Sequence, residues 1–202
     1  MLDSTVRKII DKPLDAFGRY LAKIGVKANY ITMLGFVFGL IAILYISIGN
    51  LPYGLLFLCL NRLADGVDGA VARAVKLTNF GGFVNIVADF IIYAGVVFAF
   101  AIYNPDHALY AAFLIFSFVG PITSFLAYAI IAAKDDVNTS KNGQKSFYYL
   151  GGICEGTETA LILILMCLAP HLFVQICVIY GILCWVTTIG RVYAAWNDFG
   201  KI

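Results

Sequence analysis

Long stretches of the chain are apolar on every side rather than on one. Runs such as FVFGLIAILYISI and FIIYAGVVFAFAI leave no polar face at either the helical or the strand period, as in a helix that lies wholly within an apolar medium. A transmembrane helix needs about 20 mainly apolar residues. Six segments reach that length: residues 31–49, 53–75, 80–103, 108–133, 147–169 and 172–195. A membrane β-barrel would alternate polar and apolar residues in segments of about ten, and these runs do not alternate. The first thirty residues differ. Val6, Ile9, Ile10, Leu14, Phe17 and Leu21 recur at helical spacing among six basic and three acidic residues, which predicts an amphipathic helix lying in the interface. A secretory signal peptide is not expected, because no apolar core with a small-residue cleavage site follows the basic start. The expected fold is therefore all-α: an interfacial helix over 1–28, a six-helix transmembrane domain over 29–196 and a short tail over 197–202.

Composition agrees with that pattern and narrows the class. Of the 202 residues, 61% are hydrophobic and 13% charged, against about 25% charged in an ordinary soluble domain. So little charge cannot cover a water-soluble surface, and a net charge of +2 gives no reason to expect nucleic acid as a partner. The five cysteines (Cys59, Cys154, Cys167, Cys177, Cys184) lie in apolar stretches without metal-type spacing and read as small apolar residues rather than a disulfide framework. With the amino terminus in the cytoplasm, the outer loops near 49–52, 104–107 and 169–171 contain no Lys or Arg. All 14 basic residues then fall at the amino end, the inner loops, the inner helix ends or the tail. The positive-inside rule then predicts that both termini are cytoplasmic, and the expected location is a bacterial inner (plasma) membrane, crossed several times.

Against that background the acidic residues stand out. Seven of the twelve lie in aqueous or interfacial segments, whereas Asp65, Asp68, Asp89, Glu155 and Glu158 fall within expected spans. A charged side chain deep in a bilayer costs about 2.5–3.5 kcal/mol on insertion scales, so such residues face a cavity or a partner. The plain alternative is an ion pair that holds helices together, with Arg62 or Arg73 as the cation. In the second span Asp65 and Asp68 are three apart and share a helix face, which Gly69, Ala72 and Arg73 continue. Two carboxylates projecting together call for a cation, and oxygen ligands of this kind suit Mg²⁺ or Mn²⁺. In the third span Gly81, Asn85 and Asp89 are four apart, again on one face. A short turn near Thr78 makes the two helices antiparallel neighbours. Their polar faces then meet a few turns inside the cytoplasmic surface, as a site for one or two divalent ions beside a forked cation suited to phosphate.

The run Asp65-x2-Asp68-Gly69-x2-Ala72-Arg73-x7-Gly81-x3-Asn85-x3-Asp89 resembles the signature of the CDP-alcohol phosphotransferases (CDP-alcohol phosphatidyltransferases). That family's pattern is D-x2-D-G-x2-A-R-x8-G-x3-D-x3-D. Six spanning helices and an amphipathic amino-terminal helix extend the resemblance over essentially the whole chain. Here the gap after Arg73 is one residue shorter, and Asn85 replaces the third Asp. Ala28-Asn29-Tyr30-Ile31-Thr32 is similar to the family's Pro-Asn-x-x-Thr element, with Ala28 in place of the proline.

The resemblance implies a phospholipid-synthesis transferase. A hydroxyl acceptor attacks the β-phosphate of a CDP-alcohol such as CDP-diacylglycerol, and CMP leaves. Asp65, Asp68 and Asp89 would be metal ligands, with Asn85 at the site of the fourth, and Asp89 would also be the base. Asn29, Thr32, Asp65, Gly69, Ala72, Arg73 and Thr78 fall where the family contacts the CDP group. A homodimer in the lipid bilayer is also consistent with the family.

The fifth span carries a second acidic pair, Glu155 and Glu158, three apart on one face. One reading pairs them with Arg191 or Lys145. In the other, Glu155, Glu158 and Arg191 belong to the acceptor pocket, or one of the glutamates compensates for the charge lost at Asn85. An anionic acceptor (glycerol phosphate, inositol phosphate) would use Arg73, Lys134, Lys141, Lys145 and Arg191; an amine-bearing one (serine, choline) would use the glutamates. Two other classes compete with the transferase. Asn85 is compatible with an inactive relative that binds CDP-lipid, and midmembrane acids with a metal-ion carrier.

Overall fold

The computed structural model describes residues 2–134 and 152–200. Seven α-helices run through them: α1 (Leu2–Lys23), α2 (Ala28–Ser47), α3 (Leu51–Val75), α4 (Asn79–Tyr103), α5 (Ala108–Lys134), α6 (Gly156–Leu168) and α7 (Phe173–Phe199). Single 3₁₀ turns, Pro105–His107 and Pro170–Leu172, lead into α5 and α7. No strand occurs among the described residues. The fold is all-helical, as the apolar runs predict.

Local chemistry sets the corners. Gly25 (φ 84°) and Gly49 (φ 80°) end α1 and α2 in the left-handed region that glycine adopts without strain. Each closes a Schellman pair: Gly25 N–H donates to Ala22 and Val26 N–H to Leu21, while Gly49 N–H donates to Ile46 and Asn50 N–H to Tyr45. Thr78 caps α4, its hydroxyl oxygen accepting the Gly81 N–H at 3.1 Å.

The helices pack unequally along their length. Ala42, Ile46, Leu58, Val96, Phe100, Leu114, Leu163, Met166, Phe173 and Cys177 form one dry cluster. They come from the end of α2, the start of α3, the end of α4, the start of α5, the end of α6 and the start of α7. The solid core therefore fills the half of the bundle next to the 48–50, 104–107 and 169–172 connections. The other half, towards the α3–α4 turn, contains the polar residues and the cavities. All five cysteines are free, and four of them are buried, consistent with their reading as apolar packing residues.

On length and composition four segments are fit to cross a membrane: Ala28–Ser47, Asn79–Tyr103, Pro105–Lys134 and Pro170–Phe199. Two of the six expected spans, α3 and α6, fall short. α3 is 25 residues long but carries Arg62, Asp65, Asp68 and Arg73. α6 has 13 residues, about 20 Å at 1.5 Å per residue, against a hydrocarbon core about 30 Å thick. Of the fifth span expected from residue 147, residues 147–151 lie outside the described ones, 152–155 are not helical, and α6 begins at Gly156. Just before α6 the backbone is irregular, because side chains take its donors. Gly152 N–H bonds to the Glu155 carboxylate at 2.9 Å and Cys154 N–H to the Thr187 hydroxyl at 3.1 Å. Non-helical backbone is tolerated at membrane depth only where protein or a cavity satisfies it.

The helix expected in the interface, α1, is docked on the domain. Gly18 is buried against α3, where an added Cβ would sit 2.7 Å from the Ala70 backbone carbon and 2.9 Å from its oxygen. Backbone cannot yield as a flexible side chain does. Gly18→Val is expected to cost about 1–3 kcal/mol through overpacking, and to show as a lower unfolding midpoint and faster tryptic cleavage within α1.

Candidate active site

The third and fourth helices, expected as packed neighbours, each pack on α2 rather than closely on one another, and long side chains bridge the space between their polar faces around one guanidinium. Arg62 Nη2 donates to Asp89 Oδ1 at 2.7 Å and Nη1 to the Tyr93 hydroxyl at 2.8 Å, while Nη1 lies 3.7 Å from Asp65 Oδ2. Its Nε donates to Asn61 Oδ1 at 2.8 Å, and Asn61 Nδ2 in turn donates to the Gly35 carbonyl of α2 at 2.8 Å. The Arg62 side chain is 13% exposed and Asp89 22%, so this is an ion pair largely out of water. Such a pair persists only when well satisfied by further hydrogen bonds, and the fork geometry of Arg provides them. Across the same interface Asn85 Nδ2 donates to Asp65 Oδ1 at 2.7 Å.

Asp68 is different. It is 5% exposed, and its Oδ2 is buried without a hydrogen-bond partner among the described residues. A buried carboxylate oxygen left unmatched is costly, and a cation would relieve it. The donor set (Asp65, Asp68, Asp89 and the Asn85 amide) is hard oxygen of the kind Mg²⁺ and Mn²⁺ select, so these residues fit a divalent ion. They are not drawn into a finished cage: among the described residues no three His, Cys, Asp or Glu side chains converge as metal ligands. The physical reason is visible, since Arg62 and the Asn85 amide already engage Asp65 and Asp89.

Two cavities flank this cluster. The larger, about 670 Å³, lies between α3, α4, α5, α6 and α7, and its wall includes Asp65, Asp89, Arg73, Glu155 and Arg191. The smaller, about 430 Å³, lies between the α1–α2 connection, the carboxyl end of α3 and the start of α4. Asp68, Gly69 and Asn85 line both. The cavities are thus adjacent chambers with a common wall.

The residues matched to CDP contacts divide between the chambers. Asn29, Thr32, Gly69, Ala72 and Thr78 line the smaller one, and Asp65, Gly69 and Arg73 the larger. Thr32 Oγ1 donates to the Ala28 carbonyl at 3.2 Å. Asn29 Oδ1 lies 3.2 Å from where a Cβ on Gly81 would sit, so glycine there lets the starts of α2 and α4 approach. Arg73 is held by Asp15 of α1, its Nη2 and Nε donating to Asp15 Oδ1 at 2.7 and 3.1 Å.

Of the second acidic pair, Glu155 lines the larger cavity and Glu158 does not. Arg191 is 6% exposed, lines that cavity too, and donates from Nη1 to the Pro121 carbonyl at 2.7 Å. Lys134 ends α5; Lys141 and Lys145 lie outside the described residues.

The sequence offers Arg62 only as the cation of a structural ion pair, and it does not single out Tyr93, Asn61 or Asp15 as site residues. Tyr93 follows Asp89 by four and so shares its helix face, a signal present in the sequence. Asp15 gave none, because its partner Arg73 is 58 residues away on another helix.

The family model for CDP-alcohol phosphatidyltransferase matches residues 26–193. The Escherichia coli inner membrane protein YnjF is 42% identical over 197 residues, covering 97% of this chain and 96% of that protein. The archaetidylinositol phosphate synthase of Pyrococcus horikoshii is 27% identical over 193 residues, 95% of each chain. Among solved structures, the Mycobacterium tuberculosis phosphatidylinositol phosphate synthase with CDP-DAG bound superposes with a TM-score of 0.72 at 18% identity, over 91% of this chain and 93% of that one. At that identity the superposition shows a shared fold. A family match spanning most of the chain, over a multi-pass helical bundle whose acidic residues meet between two chambers, makes this protein a member of the CDP-alcohol phosphatidyltransferase family.

Proposed function

We propose that the protein transfers a phospho-alcohol group from a CDP-alcohol, such as CDP-diacylglycerol, to a hydroxyl acceptor and releases CMP, with a divalent ion as cofactor. The observation that carries this reading is the common wall. A two-substrate transfer needs donor and acceptor on either side of the reacting phosphorus, and Asp68, Gly69 and Asn85 face both chambers. The smaller chamber, bounded by Asn29, Thr32, Ala72 and Thr78, takes the cytidine nucleotide. The larger takes the acceptor and the reacting end of the lipid, where Phe90, Phe118 and Phe125 offer apolar wall beside Arg191 and Glu155.

The reaction is a substitution at the β-phosphorus. The acceptor oxygen forms a new P–O bond, the bond to the CMP oxygen breaks, and the acceptor proton goes to a carboxylate. Asp89 is that base: it lines the acceptor chamber and lies on α4 opposite Asp65 and Asp68. Arg73, exposed at the end of α3 and paired to Asp15, exchanges that carboxylate for a diphosphate oxygen, a substitution its fork permits. Asp65, Asp68, Asp89 and the Asn85 carbonyl would hold Mg²⁺ or Mn²⁺. Bound there, the ion neutralises the diphosphate and stabilises the departing CMP. With all basic residues away from the 49–52, 104–107 and 169–171 loops, the chambers open to the cytoplasm and both termini lie there, α3 and α6 completing six crossings.

A second reading has one observation in its favour. Asn85 points its amide Nδ2 at Asp65, so the position that resembles a ligand acts as a hydrogen-bond donor, as in a relative that binds CDP-lipid without turning it over.

CMP release from CDP-diacylglycerol, assayed with glycerol phosphate, inositol phosphate, serine and choline with and without Mg²⁺ or Mn²⁺, separates the two readings. Acceptor- and metal-dependent release is the expected result. Binding of CDP-diacylglycerol without release under any condition establishes the inactive relative. Within the active reading, Asp89→Asn is expected to lower turnover at least about 10²-fold, the range of a positioned base, with CDP-lipid binding retained. A variant as active as the wild type removes Asp89 from proton transfer.

A further inference from the structure

The site contains a cation supplied by the chain itself. Arg62 sits one helical turn before Asp65 on α3 and contacts carboxylates on both helices, Asp89 at 2.7 Å and Asp65 at 3.7 Å. It is not a loose surface arginine. Tyr93 and Asn61 fix the plane of its fork, the Tyr93 ring lies 5.0 Å beneath the guanidinium carbon, and Asn61 is itself anchored to α2. The pair is therefore built in, with the geometry of a permanent counter-charge.

The charge balance follows. Asp65, Asp68 and Asp89 carry three negative charges when ionised, and Arg62 offsets one of them. The remaining two match one divalent cation. Asn85 adds no charge, and its amide occupies Asp65 Oδ1, so both Asp65 oxygens already face donors. Asp68 Oδ2 is buried without a hydrogen-bond partner among the described residues, in a residue 5% exposed on the wall shared by the chambers. A second dication in the substrate-free site would set five positive charges against three negative ones, largely away from water, where an unbalanced charge is strongly disfavoured.

We propose that Arg62 takes the place of a second cation, so that the substrate-free centre holds a single divalent ion, anchored by Asp68. This rests on the transferase reading only in locating the ion among these carboxylates. Arg62 is then a positioning residue: it holds Asp89 and Asp65 in register and neutralises one of them.

The test is a Mn²⁺ titration of the full chain in nanodiscs, followed by electron paramagnetic resonance without CDP-alcohol. The expected stoichiometry is one tightly bound Mn²⁺ per chain. Arg62→Gln is expected to tighten Mn²⁺ binding at least about tenfold, because it removes a cation a few ångströms from the ion's ligands. Adding Asn85→Asp to it is expected to admit a second ion, seen as a spin-coupled Mn²⁺ pair. Arg62→Lys, which keeps the charge but not the fork, is expected to retain single-ion stoichiometry. A purely structural staple would instead make Arg62→Gln bind Mn²⁺ no better or worse. Size-exclusion profiles and unfolding midpoints identify any variant that has lost its fold, and the wild-type stoichiometry stands without them. Two Mn²⁺ of similar affinity in the wild type overturn the inference and leave the transferase reading intact. No Mn²⁺ at any concentration overturns both the inference and the metal-dependent reading.

Discussion

The contact between Arg62 and Asp89 is the constraint around which the site half of the bundle is organised. A helix pair in an apolar medium has no hydrophobic force to hold it together, since lipid is as apolar as leucine, and must rely on close packing and interhelical polar contacts. α3 and α4 are joined by a short turn and by this ion pair, which α2 supports through Asn61. Removing one partner would leave an uncompensated charge among helices, a penalty of about 3–5 kcal/mol for buried pairs. The charge that makes α3 a poor membrane span by composition is thus what ties it to its neighbours.

A division of labour along the bundle axis follows. At one end Phe100, Phe173, Leu114 and Met166 are fully buried and pack as in a soluble core. At the other, small residues leave space between the helices unfilled, and polar side chains line it as two chambers. The dense end provides rigidity that the open end lacks, so the carboxylates of α3 and α4 are positioned by packing that lies several turns away from them. The irregular stretch before α6 belongs to the open end, where Thr187 and Glu155 replace the missing helical hydrogen bonds.

Much of this was legible in the sequence, because both strong signals are periodic. Apolar runs without a polar face located α2, α4, α5 and α7 to within a few residues, and the three- and four-residue spacing of Asp65, Asp68, Gly81, Asn85 and Asp89 placed the acids on facing helix surfaces. What escaped was long-range or irregular. The irregular backbone just before α6 bonds to Thr187, 33 residues away from Cys154, and no local pattern encodes that. The docking of α1 depends on Gly18 meeting Ala70 and on Asp15 meeting Arg73; amphipathicity shows that α1 has an apolar face, not what covers it. Arg62 was visible as a candidate ion-pair partner, but its contacts with Asp89 and Tyr93 depend on how two helices are rotated against each other.

Asp68, Gly69 and Asn85 line both chambers. Any substitution at these positions alters both volumes at once, so the two sides cannot be retuned independently there. Residues that line a single chamber, such as Phe125 on the one hand and Lys76 on the other, have no such tie. Divergence within this architecture is therefore channelled to the periphery: a new preference on one side can arise by changing the outer lining of that chamber, while the partition stays fixed.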